Sequence, residues 1–336
     1  MAHARGLELH AWMNPYRAKA SASSTAVAPH AAVTLSEHMI RYGDLLWMDP
    51  GAEAVQDHTL AVIRDVLTRY DVDGLHFDDY FYPYPDGPFP DDDSFDAYRS
   101  GGGTLDRGDW RRDNVNHLVE RIAEIVREVA PTVRWGISPF GIYRPGMPEG
   151  ITGLDQYASI YADPPLWIRN GWVDYLAPQL YWPSTQTRQA YEPLAQWWGA
   201  LATEGRLIFI GNYLSKVGTE TAWDLDELRT QLRMTREAPG VEGNLYFHVA
   251  PLDGRAPEIA EVLQNHYVVP AATPPIADAW GETLAPPAVR LDGAIATLTH
   301  SAPLRYVGVY SAIEPGVFTL DRLVPPGPDA PAPLTP

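Results

Sequence analysis

Residues 70–85 read YDVDGLHFDDYFYPYP. A short apolar run, taken as a strand over residues 73–80, carries two adjacent carboxylates, Asp78 and Asp79, into a loop of rings. Beside Phe77, Tyr80, Phe81 and Tyr82 both acids lose hydration, a penalty that a simple solvated turn avoids. Successive side chains of a strand point to opposite faces. His76, Asp78 and Tyr80 therefore share one face, and Phe77 and Asp79 the other. Asp78 is expected to face the cleft, because Leu75 and Phe77 suit the layer between sheet and helices. Asp79 reaches the same cleft only if the strand stops at Asp78 and the chain turns.

Strand-like runs and helical stripes alternate on both sides of this stretch. Strands are predicted over residues 7–13, 133–138, 175–181, 207–210 and 244–249. Helices are predicted over about 52–70, 109–130, 188–204, 224–238 and 256–265, with a short piece near 164–170. The first helix carries Val55, Val62, Ile63, Val66 and Leu67 on one stripe, and the second repeats Val115, Leu118, Val119, Ile122, Ile125, Val126 and Val129 until Pro131 stops it. Such alternation implies an α/β parallel sheet with crossover helices over residues 1–268. A Pro- and Ala-rich linker follows over 269–287, then short β-like runs forming a small module over 288–324, and a tail over 325–336 with the composition of disorder.

The formal net charge of −18 argues against nucleic acid and anionic membrane as partners, which need clustered cations. With no cysteine, disulfides and thiolate chemistry are excluded. No apolar run approaches the ~18 residues of a membrane span, and residues 1–12 lack the apolar core of a signal peptide.

In parallel α/β proteins, sites form where the strands end. Here those ends are polar and aromatic in succession. They offer His10, Trp12, Asn14 and Arg17, with Tyr16 between them; His76, Asp78, Asp79, Tyr80 and Tyr82; Ser138, Phe140 and Tyr143; Gln179, Tyr181 and Trp182; Asn212 and Tyr213; and His248 with Asp253. A cleft combining flat rings with hydrogen-bonding groups suits a polysaccharide. Asp91, Asp92, Asp93 and Asp96 lack the spacing of a calcium loop and read as a solvated loop, while Glu8, Asp71 and Asp73 fall at strand starts and read as structural. Histidines occur singly and no glycine-rich phosphate loop follows a strand, so neither a metal nor a cofactor is expected.

The stretches HAWMNPYRA (10–18), WMDPG (47–51), YDVDGLHFDDYFYPYP (70–85), WGISPFGIYR (135–144), YLAPQLYWP (175–183) and YFHVAPL (246–252) resemble the bacterial glycosyl-hydrolase-like family 10 over about residues 4–267. The resemblance implies a (β/α)8 TIM-type barrel acting on β-linked glycans, with one branch cleaving peptide-free peptidoglycan strands and many members secreted or lipid-anchored. Family members carry two further strands ahead of the HAWMNPYRA motif. The chain is therefore expected to hold six of the eight barrel strands as an N-terminally truncated form, its full-length parent secreted or in the cell envelope, and its last module to resemble part of a fibronectin type III fold. Set against the DGxDxDxE pattern of family 18 chitinases, DGLHFDDY puts His76 in place of the middle acid and Tyr80 in place of the glutamate proton donor. The expected activity is hydrolysis of an envelope or exopolysaccharide glycan containing N-acetylhexosamine. Asp78 is expected as nucleophile or stabiliser and Asp79 as acid, with Asp253 or Asp155 as alternatives for the second role. The rival expectation is a non-catalytic glycan-binding barrel or an inactive truncated pseudoenzyme.

Overall fold

The computed structural model describes residues 2–3, 7–203, 205–218, 223–252 and 256–268, and beyond them the strand segments 288–292, 295–299, 307–314, 317–324 and 332–333. Six parallel strands pair in sequence order: β1 (His10–Met13), β2 (Gly74–Phe77), β3 (Arg134–Ile137), β4 (Tyr175–Leu176), β5 (Leu207–Asn212) and β6 (Val241–Tyr246). β1 and β6 are the two edges of this sheet and do not pair with each other. Helices alternate with the strands: α1 (Glu53–Arg69), α2 (Asp92–Ser100), α3 (Arg107–Val129), α4 (Pro164–Arg169), α5 (Tyr191–Gly199), α6 (Leu225–Glu237) and α7 (Pro257–His266). This is the strand–helix alternation of a TIM-type barrel, with six strands in the sheet.

Two elements are shorter than their apolar patterns. β4 has two residues because Pro178 has no N–H to offer the ladder; the pairing resumes only as single bridges from Gln179 to Phe140 and Gly211. β2 stops at Phe77, before the carboxylates. Acids tie the strand starts together: Asp73 Oδ2 accepts from Leu9 N at 2.7 Å, and Asp174 Oδ2 from Trp135 N at 2.8 Å. Val55, Leu60 and Ile63 of α1 and Val115, Leu118, Val119 and Ile122 of α3 are buried in one core, whereas Val62, counted on the stripe from its spacing, is 41% exposed.

Sequence periodicity missed a three-stranded antiparallel sheet between β1 and α1. Leu45–Met48 lies at its centre, between Arg17–Lys19 and Met39–Tyr42. Its strands have three or four residues, too few to show an alternation; Gly43, at φ 57°, turns the hairpin. Buried Trp47 from this sheet donates its indole N–H to Phe81 O at 3.0 Å, fastening the sheet to the loop that follows β2.

The acidic run 91–96 is not a solvated loop. Asp91 is buried and accepts from Arg111 Nε at 2.7 Å, Arg111 Nη2 at 2.6 Å and Arg107 Nη1 at 2.9 Å. A bidentate guanidinium compensates the desolvation, and Asp92 and Asp93 then open α2.

In the last part of the chain Ala288–Asp292 pairs antiparallel with Ile295–Thr299, and Val307–Glu314 with Val317–Val324. Ala332–Pro333, in the stretch read as a disordered tail, pairs with residues 295–296. The linker reading of 269–287 and the rest of that tail fall outside the described residues. Among the described residues no helix is long and apolar enough to cross a membrane.

A Cβ on Gly136 would lie 2.3 Å from the ring of Tyr175. Gly136→Ala is therefore expected to lower stability by about 1–3 kcal/mol or more in denaturant melts. Gly108→Ala, whose nearest neighbours stand 3.5 Å away on flexible side chains, should be near neutral.

Candidate active site

Because β2 stops at Phe77, the next residues are free to turn. Tyr80 N donates to Asp78 Oδ1 at 3.3 Å, and Phe81 N to Asp79 O at 3.0 Å. The turn brings both carboxylates to one cleft of about 580 Å³ above the strand ends. The condition set for Asp79, that the strand end and the chain turn, is met one residue earlier than stated.

Asp78 is held from the neighbouring strand end. Asn14 Nδ2 donates to Asp78 Oδ1 at 3.0 Å, and Asn14 Oδ1 accepts from Arg17 N at 2.8 Å, so the NPYR turn fixes the amide that fixes the acid. Arg17 lies over the Tyr80 ring, 4.0 Å from its centroid. Burial, helped by the charge of Asp79, pushes Asp78 up to about 7, against the Tyr80 N–H and Arg17. Burial also raises Asp79, opposed by the Tyr84 hydroxyl that donates to it and by the nearby Gln179 amide, whose Nε2 donates to Ser138 O at 2.9 Å.

The cleft floor is a histidine. His76 Nδ1 lies 2.8 Å from the Tyr175 hydroxyl and Nε2 2.9 Å from Ser138 Oγ. Burial, with His10 nearby, lowers His76 to about 4, so it is uncharged at neutral pH. The walls are rings. Tyr181 stands 4.9 Å from Tyr213 and 6.0 Å from Phe247 between centroids, and Trp12 on the opposite wall is 60% exposed.

Of the residues expected at the strand ends, Trp12, His76, Asp78, Asp79, Tyr80, Ser138, Gln179, Tyr181 and Tyr213 line this cleft. Asn14 and Arg17 support it from behind. Phe140 and Trp182 pack in file behind Tyr84, at 6.1 Å and then 5.5 Å between centroids. Five others lie elsewhere. His10 sits beneath the floor, bonded to Tyr175 and Glu8. Tyr82 is buried against Phe89 and Tyr161. Tyr143 donates to Asp163 and stacks on Trp197. Asn212 is buried toward the helices, donating to Tyr191 and Gln231; β5 extends two residues past its predicted end, so alternation gives the cleft face to Gly211 instead. His248 is exposed and accepts from Ala250 N, while its neighbour Phe247 lines the cleft. Asp155 caps a helical turn and pairs with Arg144 away from the cleft, and Asp253 lies outside the described residues.

Sequence reading missed Tyr84, Gly211, Leu245, Tyr246 and Phe247 as lining residues. Tyr84 belongs to the ring run quoted at the outset, and its spacing from Asp79 gave no sign of the bond between them. Among the described residues no group of three or more His, Asp or Glu side chains is arranged to hold a metal ion.

The glycosyl hydrolase-like 10 family model matches residues 1–226. The chain is 34% identical to glycosyl hydrolase YngK of Bacillus subtilis (strain 168) over 299 residues, 84% of this chain and 58% of that protein. It is 33% identical to glycosyl hydrolase DigH of Escherichia coli (strain K12) over 270 residues, 73% of this chain and 61% of that protein. It thus spans about three-fifths of the length of these relatives. The glycoside hydrolase domain of PgaB (BpsB) from Bordetella bronchiseptica shares its fold, with a TM-score of 0.50 at 12% identity over 76% of this chain and 74% of that one.

The raised Asp78 has a consequence for stability. In the fold it stays neutral until about pH 7, while in the unfolded chain it ionises near ~3.9. Its contribution to stability is thus complete below pH ~4 and is lost as pH rises through about 7. Asp78→Asn, permanently neutral, is expected to unfold at higher denaturant than the parent at pH 8, by on the order of 1–4 kcal/mol, with the gap closing toward pH 4.

Proposed function

The chain belongs to the glycosyl hydrolase-like 10 family, and from that premise we propose that it hydrolyses a bacterial envelope glycan containing N-acetylhexosamine, with peptide-free peptidoglycan strands as the favoured substrate. The observation that carries the proposal is the pair of carboxylates in one ring-lined cleft, one of them raised to about 7. Glycosidic cleavage needs a carboxylic acid that still holds its proton near neutrality and a second group to meet the positive charge developing on the sugar.

The hydrogen bonds favour an order of roles opposite to the one expected from sequence. Asp78, with acceptor bonds to one oxygen only, is the proton carrier and protonates the leaving oxygen. Asp79, to which the Tyr84 hydroxyl donates, is the charged partner. It stabilises the oxocarbenium-like centre or orients a substrate acetamido group that does so. His76, uncharged at neutral pH, positions its neighbours and carries no proton in the step. Trp12, Tyr181, Tyr213 and Phe247 supply faces on which sugar rings stack. A substrate of this kind would put the site of action in the envelope or outside the cell.

Release of reducing ends from peptide-free peptidoglycan strands and from amino-sugar exopolysaccharides tests the reading. Asp78→Asn should lower kcat roughly a thousandfold or more. Tyr181→Ala should raise KM about tenfold through the loss of ~1–2 kcal/mol of stacking. The rate should decline above about pH 7 as Asp78 loses its proton. Parent-like turnover by Asp78→Asn would remove the catalytic assignment, and binding of these glycans without cleavage would make the barrel a binding module.

A further inference from the structure

A file of hydrogen-bonded side chains runs beneath the cleft from the opposite end of the sheet. Glu8 Oε2 lies 3.0 Å from His10 Nε2, and His10 Nδ1 lies 3.1 Å from the Tyr175 hydroxyl. That hydroxyl lies 2.8 Å from His76 Nδ1, and His76 Nε2 lies 2.9 Å from Ser138 Oγ. The first member is paired with Arg134 at 3.3 Å, and the last lines the cleft. Two glycines make room for the file. A Cβ on Gly74 would meet the His10 ring at 2.4 Å, and one on Gly136 the Tyr175 ring at 2.3 Å. In the strand register Gly136 stands between His76 and Tyr175, so Tyr175 leans across it to reach the histidine.

A neutral imidazole and a hydroxyl each have one proton to give, so the directions along the file are coupled. The Glu8 carboxylate, paired with Arg134, accepts, and His10 Nε2 therefore carries a hydrogen. The bare Nδ1 of a neutral His10 accepts the Tyr175 O–H. Having given its proton, the Tyr175 oxygen accepts from His76 Nδ1–H. His76 Nε2 is then bare and accepts from Ser138 Oγ–H. Ser138 has no proton left, and its oxygen turns only lone pairs to the cleft. Running the file the other way needs a second proton on His10, which would then stand as a further cation beside Arg134 at the Glu8 carboxylate.

We propose that this file fixes Ser138 as a dedicated hydrogen-bond acceptor in the cleft, reading a hydroxyl or amide N–H of the bound sugar, with His76, Tyr175 and His10 as positioning residues. The ligand in this statement rests on the glycosidase reading; the polarity of the file does not. A ligand group that can only accept is refused at this position, because an acceptor facing an acceptor leaves both unpaired.

Two-bond nitrogen–proton spectra of the 15N-histidine-labelled protein read the tautomers directly. His76 is expected as the Nδ1–H form and His10 as the Nε2–H form, each signal assigned by its loss in His76→Gln or His10→Gln. Tyr175→Phe removes the acceptor of His76 and should switch that ring to Nε2–H. On peptide-free peptidoglycan strands, Tyr175→Phe and Ser138→Ala should each raise KM about tenfold with kcat within about threefold, and the double variant should add nothing further. His76 found as Nε2–H in the parent, or unchanged in Tyr175→Phe, overturns the proposal, as does a folded Ser138→Ala protein with the parent KM. If the parent cleaves no glycan, the glycosidase reading falls, and the tautomer spectrum still decides the polarity of the file.

Discussion

The Asn14 amide donates to Asp78 across 3.0 Å, and that bond joins strand ends 64 residues apart in sequence. Much of the cleft depends on it. Asn14 is itself held by the backbone of the turn it begins, through Arg17 N, so its amide is aimed before Asp78 arrives. Arg17 from the same turn covers Tyr80, the residue whose N–H also reaches Asp78. One local turn at the end of β1 thus sets the position of the acid at the end of β2 and opposes, without cancelling, its desolvation. An acid left in water would keep an ordinary pKa, and one buried without donors would be too costly to ionise at any working pH. The observed arrangement lies between those limits, as proton-transfer chemistry near neutrality needs.

The small antiparallel sheet serves the same end from outside. Trp47 is buried and bonded to Phe81 O, so the loop following Asp79 cannot swing away without exposing an indole. Farther along that loop, Asp91 is bound to Arg111 and Arg107 of α3, and Arg111 also donates to the Tyr161 hydroxyl. The ring run between the two anchors therefore spans two fixed points. Tyr82 fills the core between them, and Tyr84 comes back to Asp79.

How much of this was legible follows from which interactions are local. The strand–helix alternation could be read because each stripe repeats within one element, and β2 could be placed because Leu75 and Phe77 flank His76 at strand spacing. Asp78, Asp79 and Tyr80 could be read as cleft residues because they stand at a strand end. Asn212 and His248 could not be placed correctly, because β5 runs two residues past its predicted end and β6 stops three residues short of its own, so Asn212 follows the strand alternation and His248 does not. The buried pairing of Asp91 was hidden because its arginines lie 16 and 20 residues away in another helix. Tyr175 stood at a strand start, where sequence gives no reason to look for function. Its meaning comes from the missing Cβ of Gly136 on the adjacent strand, a relation visible only once the register is known.

The two edges of the sheet border the same cleft. Trp12 lies on β1 and Tyr246 on β6, strands that do not pair, yet both line it together with Phe247. The sheet must therefore curl until its edges approach, and the rings on those edges take the place of backbone pairing as the walls of the site. Trp12 is 60% exposed and Phe247 49% exposed, so two large apolar faces stand in water across a polar floor. Burying such faces against the apolar faces of sugar rings recovers hydrophobic free energy at about 25 cal/mol per Å², while the sugar's hydroxyls remain for the floor to bind. On the glycosidase reading proposed above, the labour in the cleft divides in two: rings would hold a saccharide without regard to its polar pattern, and the few groups fixed by neighbours, Asp78, Asp79, Gln179 and Ser138, would read that pattern.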